Sequence, residues 1–168
     1  MVLALLSPYV RADDGEYNHK ASFILKCAGL TMWPKSKSRL AGAPFVIGII
    51  GEDYMSSSLQ ETTQRVMFDG RPVVVKVFSA IEEIVGCNVL FVSRSELPRQ
   101  RRILHEAQDK NVLTFGETDT FDKEGGMITF VHDEGKLKMI VNKRNLRSGD
   151  LKVSAELLGL SMVIVHDR

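Results

Sequence analysis

Four short runs rich in β-branched and aromatic residues, at 45–50, 73–78, 89–92 and 112–115, constrain this chain more than any other feature. Each has the length of one strand, and none shows the strict apolar–polar alternation of a strand with one face in water. Between them lie 54–65, 80–85 and 98–107, each able to form a helix. Strands that alternate with helices in this way imply a parallel sheet, because parallel neighbours need a crossover and two apolar faces need cover on both sides. An amphipathic helix is expected over 16–33, where Ala21, Ile24, Leu25, Ala28 and Met32 recur at helical spacing and Pro34 stops the run. Later, 127–132 and 136–141 flank Asp133-Glu134-Gly135, a turn-rich tripeptide that predicts an antiparallel hairpin closing one edge of the sheet. A last helix is expected over 155–162. The expected fold is α/β, a single Rossmann-like three-layer domain, its sheet mostly parallel with a C-terminal antiparallel hairpin.

The 168 residues suit one domain, 13–168, behind a short leader. Residues 1–12 read as the remnant of a signal peptide: an apolar run at 2–6, Pro8 as breaker, then Val10 and Ala12 before the expected cut, with no basic segment in front. No run reaches the ~18 apolar residues that cross a bilayer, so direct membrane insertion is not expected and the mature chain should be soluble. Twenty-two basic against 21 acidic side chains provide no field that would steer the chain to nucleic acid. Cys27 and Cys87 are too few for a zinc site and leave two states open, one disulfide or two buried thiols.

Motifs for chemistry are sparse. Gly48-Ile49-Ile50-Gly51-Glu52-Asp53 sets a glycine at a strand-to-helix turn but lacks the third glycine of a dinucleotide fingerprint, and its carboxylates would repel phosphate. A tight turn with an acidic helix start explains it. The four histidines are scattered, with no metal-pair spacing, and no serine sits in a nucleophile elbow. No catalytic constellation, metal site or cofactor is expected. Loops at the carboxyl ends of parallel strands form the usual ligand crevice, which makes Gly51, Glu52 and Asp53, then Ser93, Arg94, Ser95 and Glu96, then Gly116 and Glu117, the ligand-binding candidates. Hydrated charges around a helix cap at Ser95 are the plainer explanation. For a partner interface the candidates are Trp33 and Pro34 with Leu157, Leu158, Leu160 and Met162, all equally suited to core packing.

A series of motifs also carries a resemblance. Lys20-Ala21, Phe23, Leu25, Ala28 and Trp33-Pro34 come first, followed by Pro44-Phe45-Val46-Ile47-Gly48 and Gly70-Arg71-Pro72-Val73. Cys87-Asn88-Val89-Leu90-Phe91-Val92-Ser93, Gly125-Gly126-Met127-Ile128, Asn142, Leu151-Lys152-Val153-Ser154 and Leu157-Leu158 continue it. In order and spacing this resembles the YfiR-like family from about Lys20 onward. The resemblance implies a periplasmic, non-enzymatic repressor that binds the periplasmic sensor region of an inner-membrane diguanylate cyclase and so lowers cyclic di-GMP signalling and biofilm formation. Lys26, Cys27, Gly29 and Asn145 depart from the family's usual residues, and a two-disulfide redox lock does not carry over. A homodimer stays open. The rival reading is a periplasmic small-molecule binding module that uses the carboxyl-edge crevice.

Overall fold

The computed structural model describes residues 13–34, 42–51 and 54–167; the leader assigned to 1–12, with its cut after Ala12, and the candidates Glu52 and Asp53 lie outside them. Helix α1 (Asp13–Gly29) opens the chain, followed by the short strand β1 (Thr31–Met32). The sheet strands are β2 (Phe45–Ile50), β3 (Met67–Phe68), β4 (Arg71–Phe78), β5 (Val89–Val92), β6 (Leu113–Gly116), β7 (Ile128–Asp133), β8 (Lys136–Asn142) and β10 (Val163–His166). A second short strand, β9 (Lys152–Val153), pairs antiparallel with β1. Helices α2 (Met55–Thr62), α3 (Gln100–Asp109), α4 (Lys143–Ser148) and α5 (Ala155–Leu158) and 3-10 turns at Ile81–Ile84 and Arg94–Arg99 complete the described chain.

The eight-stranded sheet runs β10-β8-β7-β6-β5-β2-β4-β3. Strands β4, β2, β5, β6 and β7 are mutually parallel, and β3 and β8 join antiparallel. The expected α/β architecture is therefore present. The chain steps from β2 outward to β4 and then returns to the other side of β2 as β5, which puts the reversal of strand order between β2 and β5.

Alternation along β2 divides the core. Phe45, Ile47 and Ile49 meet α1 and α2, while Val46 and Ile50 face the opposite cluster with Leu90, Val92, Ile103 and Phe121. A fully buried Ile or Phe in these clusters contributes about 1.5–3 kcal/mol, so both faces are driven shut by ordinary apolar burial.

Several boundaries differ from expectation. Helix α1 ends at Gly29, before Trp33: Leu30 N–H closes on Lys26 and Cys27 carbonyls, and Thr31-Met32 gain strand bonds to Val153 and Lys152 that a longer helix would forgo. The last helix is one turn, because Val163–His166 continue instead as β10. That strand lies parallel on the outer side of β8, so β10, and not the hairpin, closes this end of the sheet. The hairpin itself turns through Glu134 and Gly135, both at positive φ. The same geometry recurs at Asp69 and Gly70 between β3 and β4, an Asp-Gly turn signal legible in the sequence but not used above.

Candidate functional site

At the reversal between β2 and β5 the backbone of Gly51 is closely packed. Gly51 has φ +96°, and a Cβ there would lie 2.6 Å from Ser95 Oγ, 2.7 Å from Glu96 Cγ and 3.0 Å from Ser93 Cβ. The turn Arg94–Arg99 thus seats Ser93, Ser95 and Glu96 directly on the loop after β2. Glu96 is buried and tied to Arg99 in an ion pair, and Ser93 is fully buried. The other glycine of this motif, Gly48, is explained by packing as well, since a Cβ would lie 2.4 Å from the Phe78 ring. Gly116 is covered on the same face by Phe121.

Two candidates face a different space. Arg94 and Glu117 line a 530 Å³ cavity further along the carboxyl edge, over β5, β6 and β7, together with Glu16, Tyr17, Lys20 and His132. The cavity is built around one buried cation. Lys20 is 4% exposed, on the stripe of α1 that carries Ala21 and Ile24. Its ammonium lies 2.6 Å from Glu16 Oε1 and 2.6 Å from Glu117 Oε2, with the Tyr17 ring centroid at 4.8 Å. Arg94 donates to the Glu117 carbonyl at 2.7 Å, and the His132 ring nitrogen Nε2 is 3.2 Å from Glu16 Oε2. The network joins α1, the loop after β5, the loop after β6 and the end of β7.

Electrostatics follow from the geometry. Burial by itself would lower the Lys20 ammonium pKa, but hydrogen bonds and charge from Glu117 and Glu16 hold it above the ordinary 10.5. Burial likewise works to raise Glu16, yet Lys20 and then His132 bring it below the usual 4.5. The result is an ionic clasp. It offers charge recognition. Among the described residues no three His, Cys, Asp or Glu side chains group to hold a metal ion.

Sequence reading named Arg94 and Glu117 for this region and Lys20 only as part of a resemblance. A usable signal existed: Lys20 is a charge on an otherwise apolar helical stripe, and such a residue needs partners. Glu16, Tyr17 and His132 had no local signal.

The interface candidates all belong to the α1 side of the sheet. Trp33 is half-buried, edge-on to Phe45 at 5.5 Å between centroids, and its Nε1 has no hydrogen-bond partner among the described residues. Pro34 is half-buried beside it. Leu157 is fully buried, and Leu158, Leu160 and Met162 pack half-buried against the same core. Leu157 therefore offers no surface to a partner in this fold. Exposed apolar area at this end comes instead from Met32, 56% exposed, which the sequence assigned to the core stripe of α1.

Cys27 and Cys87 are both free and buried. No disulfide joins them, because the sheet lies between: Cys27 packs under α1 against Met139, and Cys87 belongs to the opposite cluster beside Val46. Burial pushes the Cys27 thiol up to about 12, which keeps it protonated and unreactive.

No helix among the described residues is long and apolar enough to cross a membrane. Comparison with known proteins adds a family and a fold. The model of the YfiR/HmsC-like family matches residues 17–162. A conserved domain protein from Vibrio cholerae has a similar structure, with a TM-score of 0.62 and 11% identity over 89% of this chain, which spans 60% of that protein's length. The ABC domain from Streptococcus pneumonia in complex with L-Trp gives a TM-score of 0.49 and 11% identity, over 71% of this chain and 55% of its own. At such identity the Vibrio structure bears on the fold alone. No curated protein matches the sequence.

Proposed function

The chain belongs to the YfiR/HmsC-like family, and from that premise we propose that it is a periplasmic regulatory protein that represses a membrane-bound diguanylate cyclase by binding the cyclase's periplasmic sensor region. The observation that carries this reading is the family match, which runs from α1 to the segment just before β10. The output would be lower cyclic di-GMP and less biofilm.

Physically the task is modest. A repressor of this kind needs only a higher affinity for the inactive sensor, and a hundredfold shift of a balanced equilibrium takes about 2.7 kcal/mol. For the contact we propose the end of the molecule around Trp33 and Pro34. Met32 is exposed there, Met67 on β3 is 56% exposed, and a 280 Å³ cavity between them is lined by Trp33, Phe45, Phe68 and Arg71. Methionines around an aromatic pocket with an arginine at the rim suit an adaptable protein interface.

Deleting the gene should raise cyclic di-GMP only in cells that carry the partner cyclase, and Met32→Asp should weaken binding of the purified protein to the sensor region. If deletion leaves the messenger unchanged and the protein has no affinity for a periplasmic sensor domain, the regulator reading fails. A second reading then takes over, a small-molecule binding module, favoured by the 530 Å³ cavity that Arg94 and Glu117 share with the buried Lys20.

A further inference from the structure

A concavity larger than either of these two belongs to neither region. It is a 720 Å³ cleft on the face of the sheet opposite α1, between α3, the loop that joins β6 to β7, and α4. We propose that this cleft binds a small molecule bearing a phosphate or carboxylate group.

Charge carries the argument. Arg101 on α3, Lys123 in the β6–β7 loop and Arg144 on α4 all line the cleft, and none of the three has an ion pair or hydrogen bond to another described residue. Several cations elsewhere are held by an acceptor, among them Lys20, Arg94, Arg99, Lys110 and Arg147. The carboxylates of the cleft are already engaged. Asp122 Oδ2 lies 3.3 Å from His166 Nδ1, and Glu124 accepts a hydrogen bond from Gln100 Nε2 at 2.8 Å. Three cations from three separate elements thus stand against two carboxylates, a net charge of +1, and two of the cations are guanidinium groups whose planar donor forks match an oxyanion.

The floor of the cleft is held in place before any ligand arrives. Asn145 Nδ2 donates to the Asp122 and Gly126 carbonyls, both at 2.7 Å, and so clamps the two ends of the loop segment that carries Lys123. Its scaffold is the buried ring of Phe121, pressed against Gly116 and Gly126. A preset loop removes much of the ordering cost of binding. The volume lies within the ~300–1,000 Å³ usual for small-molecule sites, and the concave shape suits a compact ligand. This site is separate from the Trp33 end, so it stands whether or not the regulator reading does.

The test is to titrate the purified chain with inorganic phosphate, pyrophosphate and citrate at low salt, following calorimetric heat and backbone amide shifts. Saturable binding of at least one anion is expected, with shifts concentrated at 122–125 and 143–148. Preference for pyrophosphate or for citrate assigns the phosphate or the carboxylate source. The double substitution Arg101→Gln, Arg144→Gln should weaken binding about tenfold or more, while Lys152→Gln, an exposed change on the α1 side, should leave it unchanged. Absence of saturable binding into the millimolar range, equal binding by a folded double variant, or shifts centred elsewhere overturns the proposal. The wild-type shift map decides the matter even if the double variant does not fold.

Discussion

Along the carboxyl edge of one parallel sheet this protein builds two loop clusters from similar parts, and they end in opposite states. Over β2 and β5, where strand order reverses, Ser93, Ser95 and Glu96 press onto Gly51 and leave no room for a side chain there. Over β5, β6 and β7 a cavity of 530 Å³ stays open around a buried ammonium. Topology marks the first place as the usual ligand crevice, and there Ser95 and Glu96 pack tightly on Gly51. In the second place a cation on an apolar helix stripe gathers two carboxylates, and the polar groups that satisfy it hold the loops apart from a dry core. A reversal of strand order is therefore an opportunity for a site, and local packing decides whether it is taken.

The largest expected effect comes from the open cluster. Lys20→Met keeps the volume but strands Glu117, and breaking a buried pair on one side should cost about 3–5 kcal/mol. Denaturant unfolding would show it as a lower midpoint at constant slope. Adding Glu16→Met and Glu117→Met to that variant should recover most of the loss, since an apolar triad needs no compensation. If the single variant is as stable as the wild type, Lys20 is not what organises this region.

The closed cluster comes next. Gly51→Ala combines positive φ with close contacts to Ser95 and Glu96 and should cost about 2–3 kcal/mol. A tolerated alanine would mean that the β2–β5 crevice has slack, and the contrast between the two clusters would collapse. Thermal unfolding of the two proteins side by side reads this directly.

A smaller effect separates the clusters by pH. Glu16 has its folded pKa below the usual 4.5, so it contributes stability that is present above that value and lost as pH falls through the lowered folded value. Lys20, raised above 10.5, contributes fully below that value and loses its share only in strong base. Glu16→Gln should therefore flatten the acid limb below 4.5 while changing neutral stability by no more than about 1 kcal/mol, because Glu16 is partly exposed. An acid limb identical to wild type would show that Glu16 gains nothing from Lys20 in the folded state.

Much of the fold was legible because its signals are local. The runs at 45–50, 89–92 and 112–115 became strands within a residue or two, and Asp133-Glu134-Gly135 became a hairpin turn, since β-branched composition and positive-φ residues act on the chain where they stand. Helix α1 was read four residues too long because what ends it is remote: β9, more than a hundred residues away, offers Thr31 and Met32 a strand partner. For the same reason β10 was taken as the tail of a helix. Its partner β8 decides the matter, and local propensity at 163–166 does not.

The candidate site divides along the same line. Arg94 and Glu117 could be placed at strand ends from the sequence because the strand pattern puts them there. That they share a cavity with Lys20 and Glu16, while Ser93, Ser95 and Glu96 pack onto Gly51, depends on contacts such as that of Lys20 with Glu117, 97 positions apart. Sequence alone determined the α/β class and the family resemblance, both of which are properties of composition and order. Only the folded molecule decided that two buried thiols lie on opposite faces of a sheet, that Leu157 is core, and that three cations from separate elements line one 720 Å³ cleft. Such facts are set by which surfaces meet, and the meeting depends on the packing of the whole chain.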